Sequence, residues 1–206
     1  MIYLIDFDKT ISSTCSCNGL ISRFATIDTT EIDEKWEQSL LSTPQAMEII
    51  FRHLQMDYEQ FLTYVQTMTI DPFFLEFLAL CRQKSYPYAI VSDGMDLLIS
   101  TILQQHTEEP ITIYANRMKY HNGEWRVSFP YYSEETPLLG VSKPTVIRQH
   151  QKSDAVTFIG DGYSDFAAAH VADFIFAKDK LASYCDQQQI PYTPYETFQD
   201  IVKKTW

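Results

Sequence analysis

The sequence predicts an α/β fold: a doubly wound, Rossmann-like parallel sheet with a small helical module inserted into it. Three observations carry this expectation. Short apolar runs rich in β-branched residues stop abruptly at turns containing Asp or Gly. Helical patterns separate those runs. Residues 12–71 show helical periodicity alone.

The elements follow in chain order. Residues 2–5 form a first apolar strand that ends at Asp6-Phe7-Asp8-Lys9-Thr10. In the segment that follows, Ile32, Trp36 and Leu40 share a helical face, and so do Met47, Ile50, Phe51 and Leu54 behind a Thr43-Pro44 start. Tyr58, Phe61, Leu62, Val65 and Met68 repeat the pattern. The expected division is therefore residues 1–11 with 72–206 as the α/β core and 12–71 as the helical module. Asp71-Pro72 supplies an N-cap and first-turn proline for a helix carrying Phe74, Leu75, Leu78 and Cys81. A second strand, 88–91, ends at Ser92-Asp93-Gly94, and Leu97, Leu98, Thr101 and Ile102 mark the next helix. A strand over 111–115 is followed by a hairpin, with Asn122-Gly123 turning between 117–120 and 125–129. The strand over 155–159 ends at Gly160-Asp161-Gly162, and 174–177 forms one more.

Composition narrows the function. A chain of 206 residues, 45% hydrophobic and 21% charged, suits one folded domain with a modest insertion and excludes disorder. With 27 acidic against 16 basic residues, the net charge of −11 argues against nucleic acid or an anionic membrane as partner, since both need a basic surface. No stretch approaches the roughly 18 apolar residues of a membrane span. The start, Met1 to Asp6, lacks the basic region of a secretory signal, so a cytoplasmic protein with reduced thiols at Cys15, Cys17, Cys81 and Cys185 is expected. Cys15-Ser16-Cys17 has no second pair or nearby His to complete a zinc set.

Chemistry concentrates at strand ends. Asp6 and Asp8, two apart in extended chain, lie roughly 6–7 Å from each other and point the same way. Such a pair divides labour between attack and proton transfer, and repels itself unless a cation such as Mg²⁺ is shared. Asp161 and Asp165 follow another strand and reach the same sheet edge, one as a direct metal ligand and one from behind it. Ser92 and Gly94 offer a hydroxyl and an amide to a phosphate, and Lys143 offers a point charge.

This set, Asp6-Phe7-Asp8-Lys9-Thr10, Ser92, Lys143 and Gly160-Asp161-Gly162-Tyr163-Ser164-Asp165, resembles the haloacid dehalogenase superfamily. The paired aspartates are similar to its phosphatase branch, and a helical cap after the first strand is similar to the phosphoserine-phosphatase-like members. The resemblance implies Asp6 as the nucleophile that becomes an aspartyl-phosphate. It implies Asp8 as general acid and base, with its carbonyl on Mg²⁺. Thr10, Ser92, Asp93 and Gly94 would hold the phosphoryl group with Lys143, Asp161 would join Asp6 on the metal, and Asp165 would support it. The substrate would be a small phosphorylated metabolite, and the cap residues near Cys15, Asn18, Phe24 and Arg52 are the candidates to face it, with no one of them singled out by the sequence.

Within the branch, Lys143-Pro144, the turn Ser92-x-Gly94-Met95-Asp96 and the tail from Phe176-Ala177-Lys178-Asp179 through Cys185 and Pro191-Tyr192 to Phe198 are similar to the phosphatases of methionine salvage. Those carry cysteines just before the lysine, where this chain has Pro137-Leu138-Leu139-Gly140-Val141-Ser142. Phosphoserine phosphatases place a glutamate for the substrate ammonium where this chain has Cys15, which disfavours phosphoserine. Phosphoserine, phosphocholine and pyridoxal phosphate remain alternative substrates, and transfer to another acceptor through the same aspartate an alternative reaction.

Overall fold

The computed structural model describes residues 1–206. Its centre is β1 (Ile2–Ile5), parallel to β2 (Tyr88–Met95) on one side and to β5 (Val156–Gly160) on the other. β3 (Thr112–His121) and β4 (Glu124–Ser128) extend one wing; β6 (Phe174–Ala177) and β7 (Thr193–Pro194) extend the other. The order is β4-β3-β2-β1-β5-β6-β7, and only β4 runs antiparallel. The doubly wound parallel sheet is thus as expected, with one hairpin strand added at its edge.

Alternation along β1 separates two apolar layers. Ile2 and Leu4 pack into one with Val156, Phe158, α7 (Lys143–His150), α8 (Phe166–Ala169) and α9 (Asp179–Gln188). Tyr3 and Ile5 face the other, with α5 (Phe74–Gln83), α6 (Asp96–Gln104) and α10 (Phe198–Thr205). Buried on both faces, these strands read as unbroken apolar runs.

The helical stretch between β1 and α5 holds four helices: α1 (Ser16–Phe24), α2 (Thr30–Glu37), α3 (Thr43–Phe51) and α4 (Tyr58–Val65). Capping boxes start two of them, Ser42 with Gln45 and Asp57 with Gln60. Sequence periodicity anticipates α2, α3 and α4 but misses α1, whose Gly19 and Cys-Ser-Cys-Asn start are poor helix formers. Tertiary contact overrides that propensity. The Tyr64 hydroxyl donates to the Ser16 carbonyl at 2.6 Å, and a Cβ on Gly19 would lie 2.5 Å from that hydroxyl. Cys17, Leu20, Ile50, Phe61 and Val65 of this stretch share one continuous apolar cluster with Tyr3, Phe77 and Ile99 of the sheet layer.

Two differences from expectation concern strand ends. β2 continues through Ser92-Asp93-Gly94 to Met95, with its register against β3 shifting between Val91 and Met95. The shift splays the turn residues out of the ladder. The 112–121 stretch is one strand that serves both the parallel sheet and the hairpin, turned by Asn122 (φ 51) and Gly123 (φ 83). On the hairpin, Trp125 donates its indole N–H to the Met56 carbonyl at 2.6 Å and packs among Tyr58, Phe61 and Tyr120.

Two connections join the helical stretch to the sheet, and they lie side by side. Ser12 and Ile70 form an antiparallel bridge, Ser13 N donates to Thr69 O, and Asp71 N donates to Ile11 O. Regular helix begins at Phe74, three residues after the expected cap, yet Asp71 still organises the start: its carboxylate accepts from Phe73 N (2.8 Å) and, across the fold, from Phe198 N (3.1 Å). Asp71→Ala removes both acceptors and is expected to cost about 1–2 kcal/mol, lowering Tm by roughly 2–8 °C in a thermal melt; an unchanged Tm would show that neither bond stabilises the fold.

Candidate active site

β1, β2 and β5 end at the same sheet edge, so residues far apart in sequence meet there. Lys143, at the start of α7, is fully buried beneath them. Its ammonium donates to Asp6 Oδ1 at 2.6 Å, to Asp165 Oδ1 and to Ser164 Oγ at 3.1 Å. Burial alone would lower its pKa, but Asp165 and Asp6 outweigh that and raise it, so the amine stays charged.

The carboxylates around it are crowded. Asp6, Asp161 and Asp165 place oxygens within 4.8 Å of one another, all on buried residues. Burial pushes the Asp6 carboxyl well above its ordinary range; Lys143 opposes this, while Asp165 and Asp161 add to it. Burial and then Asp165 raise Asp161 to about 6. Asp165 spends both oxygens inside the protein, one on Lys143 and the other on the amides of Asp161 and Gly162, each at 2.9 Å. Gly160 makes this possible: a Cβ there would lie 2.5 Å from Asp165 Oδ2. Asp6 Oδ2, Asp161 Oδ2 and the Asp8 carbonyl accept no hydrogen bond.

Asp8 faces the second strand end, where a Cβ on Gly94 would lie 3.3 Å from Asp8 Oδ2 and 3.2 Å from Ser92 Oγ. Burial raises its pKa, and the Ser16 amide, donating to Oδ1 at 2.7 Å, pulls against that. This amide is the first of α1, so a helix N-terminus points at the carboxylate. The Cys15 thiol sits 3.7 Å from Asp8 Oδ2.

Asp6, Asp8, Lys143, Asp161, Asp165, Thr10, Ser92 and Gly94 therefore come together, and three further hydrogen-bond arrangements add detail. The Asp93 carboxylate is turned to other partners: it accepts hydrogen bonds from Gly140 N, Val141 N, Asn116 Nδ2 and Thr43 Oγ1. The Gly94 amide donates to Ser92 Oγ at 3.1 Å, leaving the Ser92 hydroxyl proton as the group to offer. Thr10 Oγ1 donates to Asp161 Oδ1 at 3.3 Å, tying the first motif to the last. Among the residues of the helical stretch expected near the substrate, Cys15 touches this group, and Asn18 is exposed on α1. Phe24 packs edge-on against Tyr64, and Arg52 is exposed beside Glu48 in a groove under the hairpin.

Sequence reasoning missed three contributors. Ser164 lies inside a motif whose acids carry the expected chemistry, Ser16 lies in the helix α1 that periodicity misses, and Tyr195 follows the chain's last strand. Tyr195 is buried under the site, its hydroxyl 3.3 Å from the Gly160 carbonyl. An aromatic in a short turn-rich tail carries no local signal of that placement.

The sequence model of the haloacid dehalogenase-like hydrolase family matches residues 4–170. A 2-hydroxy-3-keto-5-methylthiopentenyl-1-phosphate phosphatase of an Exiguobacterium species (strain AT1b) is 32% identical over 205 residues, covering 96% of this chain and 94% of that one. A phosphatase of the same name from Bacillus mycoides is 30% identical over 204 residues, covering 96% and 92%. Among solved structures, a phospho-aspartyl intermediate analogue of phosphoserine phosphatase aligns with a TM-score of 0.74 at 18% identity, covering 98% of this chain and 97% of that one, a likeness of fold. With a model that spans all four motifs and relatives that match along nearly their whole length, the chain belongs to the haloacid dehalogenase-like hydrolase family, as a phosphatase.

Proposed function

We propose that this chain hydrolyses a small phosphomonoester in two steps through an aspartyl-phosphate on Asp6, with Mg²⁺ as cofactor. The observation that carries the reading is the state of Asp6: one oxygen is held by Lys143 at 2.6 Å while the other accepts no hydrogen bond. A carboxylate fixed by one oxygen presents the other as a nucleophile.

In the first step Asp6 Oδ2 forms a bond to phosphorus and the ester oxygen leaves, taking a proton from Asp8. In the second, Asp8 accepts a proton from water as the water oxygen attacks phosphorus; inorganic phosphate departs and the Asp6 carboxylate is restored. Burial, which raises Asp8, favours the protonated form needed first, and the Ser16 amide favours the carboxylate needed next. Phosphoryl transfer depends chiefly on positioning and on neutralising the non-bridging oxygens, and Lys143 and the Ser92 hydroxyl supply donors for that.

The donor set fits a hard divalent cation. Three buried carboxylates share one ammonium, the unbonded acceptors belong to Asp6, Asp161 and the Asp8 carbonyl, and every donor is oxygen. When bound there, Mg²⁺ supplies positive charge that offsets the carboxylates and the phosphate. Residues 12–71 act as a cap that closes over this edge and excludes bulk water.

For the substrate we infer the ketoenol phosphate named for the relatives, 2-hydroxy-3-keto-5-methylthiopentenyl-1-phosphate, in the cytoplasm. The Cys15 thiol beside Asp8 supports a substrate without an ammonium, because a neutral thiol gives such a group no ion pair. A screen against that compound, phosphoserine, phosphocholine and pyridoxal phosphate tests this. Preference for phosphoserine would sink the substrate assignment, and phosphate release only with an added acceptor alcohol would indicate transfer.

Asp6→Asn is expected to lower kcat on p-nitrophenyl phosphate by roughly a thousandfold or more, and Asp8→Asn by about 10²–10⁴. Turnover by Asp6→Asn at the wild-type rate would exclude it as nucleophile. EDTA should abolish turnover and Mg²⁺ restore it. Mg²⁺ at about a hundred times its Kd should add ~2.7 kcal/mol of stability, raising Tm by roughly 5–11 °C, and Asp161→Asn should remove that shift in a thermal melt.

A further inference from the structure

Asp93 follows Ser92 at the end of β2, yet its carboxylate turns away from the phosphate turn. Oδ1 accepts from Gly140 N at 2.8 Å, Val141 N at 2.9 Å and Asn116 Nδ2 at 3.2 Å. Those two amides lie in the loop that runs directly into Lys143. The loop is pressed close: a Cβ on Gly140 would lie 2.4 Å from Asn116 Oδ1. Asn116 also donates to the Asp93 carbonyl at 2.7 Å, which fixes the carboxylate's own backbone.

Oδ2 has one partner, and it comes from the helical stretch. Thr43 Oγ1, in the first residue of α3, lies 3.0 Å away. The direction of this bond follows from chemistry. An indole N–H only donates, so Trp36 Nε1, at 3.1 Å, uses an acceptor position on Thr43 Oγ1 and leaves the hydroxyl proton for Asp93. The Thr43 amide donates to Leu138 O at 2.8 Å, so the start of α3 is stitched to the 138–141 loop by backbone and side chain together.

A second contact reaches the other loop around Lys143. The Trp36 ring meets Tyr163 edge-on, with centroids 6.0 Å apart. Tyr163 opens the 3-10 turn Tyr163–Asp165, and Ser164 and Asp165 of that turn accept from the Lys143 ammonium. The helical stretch thus touches both segments that hold the lysine, and it does so through neighbouring residues, Trp36 and Thr43.

We infer that Thr43 and Asp93 are positioning residues, a joint through which seating of the helical stretch sets the loop that carries Lys143 between Asp6 and Asp165. The inference rests on the phosphatase reading for its consequence in turnover, but the joint itself is a matter of structure. Lifting the stretch away removes the sole partner of Asp93 Oδ2 and the bond from Thr43 N to Leu138 O at the same moment, which loosens a loop that Asp93 Oδ1 still holds. The lysine then keeps its partners Asp6, Asp165 and Ser164 but sits on a looser loop, so that closure and the final setting of the charged centre become one event.

Thr43→Val keeps the shape and removes the donated proton, while Thr43→Ser keeps the proton. Loss of a hydrogen bond to a carboxylate translates to about a tenfold effect. Thr43→Val should therefore lower kcat on p-nitrophenyl phosphate about tenfold and speed amide hydrogen exchange across residues 138–143 to a similar degree. Exchange in β5 and β6 should stay as in the wild type, and Thr43→Ser should restore both readouts. Wild-type kcat and unchanged exchange in Thr43→Val would overturn the inference, as would faster exchange throughout the sheet or failure of serine to rescue. If the wild-type protein releases no phosphate at all, the phosphatase reading falls; local exchange at 138–143 in Thr43→Val then still decides the joint.

Discussion

The Lys143 ammonium, sealed under the sheet edge with Asp6 and Asp165 against it, is the interaction on which the site is built. A buried ion is tolerated only when its charge and hydrogen bonds are met, and removing one partner of such a pair typically costs about 3–5 kcal/mol. Each neighbour answers that demand. Asp165 is oriented by the amides of Asp161 and Gly162, and those amides reach it because Gly160 carries no side chain. Pro144 follows the lysine in the first turn of α7, where a missing amide is harmless, and Phe158 lies under the ammonium at 5.7 Å. Lysine, glycine and aspartate here are parts of one electrostatic solution.

That solution leaves an imbalance. With one ammonium among Asp6, Asp161 and Asp165, burial and repulsion raise Asp6 and Asp161 instead of lowering them. The strain is local: the net charge of −11 describes the whole chain, whereas these acids converge on one edge. An acidic protein can therefore receive an anionic ester at a point where fixed donors, and a cation if one is shared, reverse the sign of the field. Composition alone speaks against extended anions such as nucleic acid and says little about a single phosphate.

Legibility in the sequence followed the range of the physics. Strand-end motifs were readable because a buried parallel strand must be apolar throughout and must stop where polar chemistry begins; Asp6, Asp8, Asp161 and Asp165 all sit at such stops. α2, α3 and α4 were readable from their periodicity and, for α3, its Thr43-Pro44 start. The helix α1 was not, because what packs on it comes from afar: Tyr64, 48 residues from Ser16, donates to the Ser16 carbonyl and fills the space above Gly19. Asp93 lies inside a legible motif but points to a loop and a helix that only the folded chain brings near. Tyr195 enters from the last strand region, and no local pattern marks a phenol destined for burial beneath a distant turn. Residues that sit in a motif were legible from the chain, Lys143 included although its partners lie across the fold, whereas Ser16 and Tyr195 carry no such local mark.

The paired connections at Ser12 and Ile70 have a consequence for how such a chain changes over time. Because the chain leaves and re-enters the sheet layer at adjoining points, the inserted stretch occupies the place of a single long loop. Its length and shape can vary between descendants without moving the register of β1 against β2 and β5, as tolerated insertions in general require closely spaced ends. The edge carrying the carboxylates can then stay fixed while the inserted stretch changes. What limits that freedom is the shared apolar cluster and the contacts at Thr43, Trp36 and Trp125, which any replacement stretch must reproduce or do without.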